Sequence, residues 1–442
     1  MKTIHAALFA GAAALFFAGC SAFAPAGEPA AAETPAPAPA AAPAAKPAES
    51  PAAKPAAVCA PAPVTGIADD QAVRFAGPER NPVVLLCGCS DADAGEPACG
   101  GAIARLTAAG YVDASRPLPE GCAYATLYRF RCDPKLDIPG NAAKLHAFLT
   151  DVRAQLQKKY AENCKRPGYD VRFDLIAHGA CGLLGRYYLR YGEQPLPENG
   201  ISLPLLDWRG AKLADKLILI STPNDGSLAV FSEIVGGVRP DPAARAPLPA
   251  AAAPAAYQML PGVNGGTVHY ADAPDGPALD LFDPAVWSAN HWGLADPAVR
   301  AAVGEKEADA RLENCLRRAK QFRAAMKIPA QPPKNVALFL FAGNSVPTAS
   351  RLLVDRKSGR LSPAGYVPGD GRTPLASARF DRRGEAAKVP FSQSPILWQS
   401  VSHLPAGHAE LLNSDQLWND VRYYLLMFPT DRQREMYHLN RK

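Results

Sequence analysis

Leu175-Ile176-Ala177-His178-Gly179-Ala180-Cys181-Gly182-Leu183 joins two segments of opposite character. Before it, Val171-Arg172-Phe173-Asp174-Leu175-Ile176 reads as an apolar strand. After it, Leu183-Leu184-Gly185-Arg186-Tyr187-Tyr188-Leu189-Arg190-Tyr191 repeats apolar residues at helical spacing until Gly192 supplies a stop. A strand, a tight turn of small residues and a helix therefore follow one another with no loop between them.

The same alternation extends outward. Asn81-Pro82-Val83-Val84-Leu85-Leu86 is a short buried-strand pattern ending in Cys87-Gly88-Cys89-Ser90-Asp91. A short helix over 101–110 and a strand over 124–131 follow. The next helix, 141–160, carries Leu145, Phe148, Leu149, Val152 and Leu156 at helical spacing. Downstream, Lys216–Ile220 is a strand, and Asn335–Ala342 gives the strongest strand pattern of the C-terminal half. A charged helix is expected from about Pro297 to Met326. Two runs, 351–355 and 360–367, joined at Lys357-Ser358-Gly359, suggest a hairpin. A last helix is expected to run from Ser414 or Asp415, capped by either, to Met427. Strands alternating with helices predict an α/β fold, a mostly parallel sheet covered on both faces.

The 442 residues are 48% hydrophobic and 20% charged, enough for a sizeable core. A net charge of +5 without a basic run gives no case for nucleic acid. Residues 1–20 have a positive start, an apolar run from Ala6 to Phe17 and small residues before Cys20, a pattern that suits a signal peptide and is too short to span a bilayer. Residues 21–64 are almost all Ala and Pro and read as a semi-extended tether. The folded part is expected over 65–442. Setting Cys20 aside leaves nine of the ten cysteines, so at least one lacks an intrachain partner. Cys87, Cys89 and Cys99 cluster, and Cys122 and Cys132 flank one strand, which favours short-range disulfides. No CxxC pair or histidine cluster points to a metal, and no cofactor is expected.

Laid on the frame G-x-S-x-G, the central stretch resembles the nucleophile elbow of α/β-hydrolases, in the G-H-S-x-G-G form of bacterial lipases and of the lecithin:cholesterol acyltransferase family. Other segments carry the same resemblance. Ser221-Thr222-Pro223-Asn224-Asp225-Gly226-Ser227 is similar to the family's S-T-P-x-x-G-S. Ala256-Tyr257-Gln258-Met259-Leu260-Pro261 resembles its A-Y-Q-L-L-P. Gly369-Asp370-Gly371-x-x-Pro374 resembles the loop that carries the acid, and Gly407-His408 the loop that carries the base. The ending Phe17-Ala18-Gly19-Cys20 resembles a lipobox. The resemblance implies an α/β-hydrolase fold with a cap insertion at about 228–330, in which Trp287 and Trp292 either serve the acyl-binding surface or simply pack. It implies a lipid ester or acyl-chain ligand, and oxyanion amides at Cys89 and Ala180. It also implies an N-terminus lipidated at Cys20 and held at a bacterial outer membrane.

The family's chemistry needs a nucleophile, a base and an acid in the chain order Ser, Asp or Glu, His. Asp370 and His408 occupy the second and third places, with His403 a nearby competitor for the base. The first place is Gly179, and no serine occurs between Ser115 and Ser202 to replace it. Elbows hold their central residue in a strained conformation that costs a non-glycine residue about 1–3 kcal/mol; glycine adopts it almost freely. The expectation is a lipase-shaped protein without covalent catalysis. The alternatives are an active esterase or acyltransferase using Cys181 as nucleophile, or a water activated by His408. Ser90 is expected to be structural.

Overall fold

The computed structural model describes residues 80–88, 96–236, 253–380 and 394–439. The segments expected to be a signal peptide and a tether lie outside them, as do Cys20, Cys89 and Ser90.

Six strands form the central sheet: β1 (Val83–Cys87), β2 (Leu127–Arg131), β3 (Phe173–His178), β4 (Ala214–Ile220), β6 (Ala337–Gly343) and β9 (Ser400–Leu404). Their spatial order is β2-β1-β3-β4-β6-β9 and every pairing is parallel. A parallel sheet is buried on both faces, so its strands are apolar throughout, and β1, β4 and β6 are buried at every position. Alternation still divides the side chains. Val84, Leu86, Leu175, Ala177, Leu217, Leu219, Leu338 and Leu340 pack with α2 (Ile138–Cys164) and α3 (Cys181–Tyr191). Val83, Leu85, Ile176, Ile218, Ile220, Phe339 and Phe341 pack with α1 (Glu96–Ala108) and α6 (Asp415–Leu426). This winding, with a strand-turn-helix elbow after β3, is the α/β-hydrolase fold.

The helices start where local chemistry supports them. Asp137 caps α2 by accepting from the Gly140 amide at 2.8 Å, with Pro139 in the first turn. Of the two expected caps of α6, Ser414 serves, its Oγ accepting from the Leu417 amide at 3.3 Å. The long helix expected over 297–326 is instead two, Pro297–Val303 and α5 (Glu305–Lys327). Gly304 breaks it with φ +99°, a value helices do not tolerate.

Between β4 and β6, the chain supplies α4 (Leu228–Val235), β5 (Thr267–Tyr270) and α5. Trp287 and Trp292 are fully buried there and pack edge-on against Phe231, so the packing reading of both tryptophans holds. β5 pairs in parallel with β7 (Val346–Val354), which forms the expected hairpin with β8 (Leu361–Gly369). That hairpin is longer than its sequence pattern, because Pro347, Ser350, Pro363 and Gly365 hide the alternation. Cys87 and Cys99 form a short-range disulfide, as their clustering in sequence suggested, and Cys315 is a buried free thiol.

Candidate active site

In an open parallel sheet, ligands bind beyond the carboxyl ends of the strands, where the winding reverses direction. Here β1 steps outward to β2, while β3, β4, β6 and β9 run the other way. The carboxyl end of β3 is therefore where a site is expected, and Gly179 stands there. Its amide donates to the Ile220 carbonyl at 2.9 Å, extending the β3–β4 ladder by one bond. Its φ is +55°, the left-handed conformation an elbow requires. The turn thus keeps the elbow geometry without the side chain. Ala180, the second expected oxyanion residue, is buried at the start of α3. Cys89, the first, lies outside the described residues.

The loops after β8 and β9 meet at this turn. Asp370 is 3% exposed. Its Oδ1 accepts from the amides of Arg372 at 2.9 Å and Thr373 at 2.6 Å, and its Oδ2 accepts from His408 Nδ1 at 2.9 Å. The His408 amide also donates to the Asp370 carbonyl at 2.9 Å. Burial pushes the Asp370 carboxyl up, but the hydrogen bond and charge of His408 and the two amides outweigh it, leaving the group below the usual aspartate value. An ionised Asp370 makes His408 Nδ1 the donor, which leaves Nε2 as the proton acceptor of a neutral imidazole. This is the orientation a general base needs. His403 is exposed on β9, paired in register with Ala342. His408, not His403, meets the aspartate.

Gly343 at the end of β6 makes the encounter possible. A Cβ there would lie 2.5 Å from the Ala406 carbonyl oxygen and 2.6 Å from the Asp370 Cβ, so only glycine lets both loops close in. Arg372 anchors the acid loop from the other side, with NH1 2.6 Å and NH2 3.1 Å from the two carboxylate oxygens of Glu233 on α4. Neither feature was read from sequence; a glycine ending a strand and one arginine in a turn carry no periodic signal.

The alternative that makes Cys181 the nucleophile is corrected by the structure. Cys181 is 1% exposed and disulfide-bonded; the partly buried Cys122 and Cys132 are disulfide-bonded as well. A sulfur held in a disulfide has no thiolate to attack with. A cavity of about 30 Å³ behind the turn is lined by Cys87, Gly88, Cys99, His178, Cys181 and Trp418, among others. A single water needs roughly 10–15 Å³ by this measure, so it suits a water or two and not an acyl chain. Among the described residues, no group of three or more His, Cys, Asp or Glu could hold a metal, and no helix is long and apolar enough to cross a membrane.

No family model matches the chain, and no curated protein does. Among solved structures, the chain is similar to the Tle4–Tli4 complex, at 11% identity and TM-score 0.46, with 69% of each chain covered. It is similar to EstA from Clostridium botulinum at 11% identity and TM-score 0.35, covering 79% of this chain and 88% of that one. For the mature lipase BlEst2 of Bacillus licheniformis the values are 14%, 0.29, 79% and 93%. The α/β-hydrolase assignment rests on this chain's own strand order, register and elbow.

Proposed function

We propose that this chain is an envelope lipoprotein with a lipase-like body, binding lipid esters or acyl chains, that has kept its proton-transfer pair and lost its covalent nucleophile. One observation carries the reading: an aspartate–histidine pair lies against an elbow whose central position, at φ +55°, is Gly179. His408 is oriented to take a proton, and the residue that would give one has no side chain. Lipid anchoring at Cys20, and with it an outer-membrane location, is supported by the residue pattern of 1–20. Loss of palmitate incorporation in Cys20→Ala tests it.

Turnover of p-nitrophenyl esters tests the central claim. The natural chain is expected to show little, and Gly179→Ser to gain activity that Gly179→Ser/His408→Ala lacks. Strong turnover by the natural chain, unaffected by His408→Ala, would sink the proposal. A second reading is favoured by the ionised Asp370: a water gives its proton to His408 Nε2 while its oxygen attacks the ester carbonyl. The collapsing intermediate expels the alkoxide, which recovers that proton. This route predicts slow turnover by the natural chain that His408→Ala abolishes. Triad enzymes lacking a member retain roughly 10³–10⁴-fold catalysis over water.

A further inference from the structure

We infer that His178 is a positioning residue for His408, an inference that rests on the reading of His408 as the site's base. His178 is the last residue of β3 and the immediate neighbour of Gly179. Its ring packs on that of His408, with centroids 4.6 Å apart and planes tilted by 55°. Its Nε2 lies 3.1 Å from the His408 carbonyl oxygen. A carbonyl only accepts, so Nε2 carries the proton and donates.

Three polar atoms of His408 are thereby fixed. Asp370 takes the amide and Nδ1, and His178 takes the carbonyl. The two contacts to Asp370 tie His408 to another loop. The contact to His178 ties it to the sheet, because β3 is held by ladders to β1 and β4 on both sides. The segment 405–409 is otherwise partly or fully exposed and has no strand of its own. His178 therefore sets the distance between the base and position 179 through a single residue step. A misplacement of about 1 Å at a reacting group costs on the order of 10²-fold in rate, which is the scale of what this contact protects.

The Nδ1 proton of a histidine bonded to an aspartate gives a far-downfield NMR resonance, and that resonance reads position without requiring turnover. In the full chain, the signal is expected in the natural protein and absent in Asp370→Asn, which assigns it. It should broaden away in His178→Ala and persist in His178→Gln, whose amide can still donate to the carbonyl. Circular dichroism reports whether each variant folds. An unchanged resonance in folded His178→Ala overturns the inference, as does a natural chain without the resonance or a failure of His178→Gln to restore it. Failure of the reading beneath it shows separately, as absence of ester turnover in Gly179→Ser with the resonance intact.

Discussion

Asp370 is where the chemistry of the site becomes measurable as stability. Burial favours its neutral form, and four hydrogen-bond or charge contributions reverse that preference, so its folded pKa lies below the unfolded value of about 3.9. A depressed carboxylate contributes stability that is fully present above the unfolded pKa and is lost as pH falls through the folded one. The melting temperature of Asp370→Asn should therefore fall below that of the natural chain at neutral pH. The gap should narrow once pH drops below about 4. A gap that stays constant from pH 7 to 3 would mean that Asp370 is not ionised in the fold. Gly179 is the opposite case. Its place in the turn is legible from sequence, because the strand before it and the helix after it are both patterned. His178 was visible as a letter of the elbow but not as a partner of His408, since nothing in sequence links residues 230 positions apart.

At the scale of elements, most of the sheet could be read because buried parallel strands are continuous apolar runs and amphipathic helices repeat every three to four residues. β9 escaped, since Ser400-Val401-Ser402-His403-Leu404 is an edge strand that buries only Leu404. β5 escaped for a related reason: four residues, of which only Val268 is buried, give no usable period. Cap chemistry was likewise only partly legible, and Asp137 shows why. Its Oδ1 caps α2 through Gly140, an interaction that sequence can suggest, while its Oδ2 accepts from Arg318 Nε at 2.9 Å and NH2 at 2.5 Å, which links α2 to α5 across 181 residues. Replacing an N-cap aspartate by alanine costs about 0.5–2 kcal/mol. Asp137→Ala should sit at the upper end, because Arg318 also loses its partner. Asp137→Asn keeps the cap and should cost clearly less. Equal losses in urea unfolding would mean that the cap contributes nothing.

Across the whole molecule, the two ends of the sheet divide the work. The carboxyl ends hold the candidate site, and the amino ends hold a buried charged network that joins distant parts of the chain. Lys216 Nζ lies 3.3 Å from Asp174 Oδ2, both side chains essentially buried. Asn81 Nδ2 donates to Asp174 Oδ1 at 2.9 Å and to Asp215 Oδ2 at 3.0 Å. Arg432, on the last helix, closes the network with NH2 2.5 Å from Asp215 Oδ2 and 3.0 Å from Asn81 Oδ1. Asp215 is fully buried, so these donors supply the hydrogen bonds that water would otherwise give its carboxylate oxygens. Removing one partner of a buried ion pair costs roughly 3–5 kcal/mol, because the other charge is stranded. Arg432→Met should lie near the low end, since Asn81 stays and Arg172 NH1 sits 3.7 Å from Asp215 Oδ1. The double variant Arg432→Met/Asp215→Leu should recover much of the loss, as an apolar pair strands no charge. The two variants, compared by denaturant unfolding, separate these ideas: a double variant less stable than Arg432→Met alone would show that the network stabilises by more than avoiding a stranded carboxylate. Gly179 stands five residues beyond Asp174 along β3, roughly 16 Å at ~3.3 Å per residue, so neither change should alter ester turnover in the Gly179→Ser background.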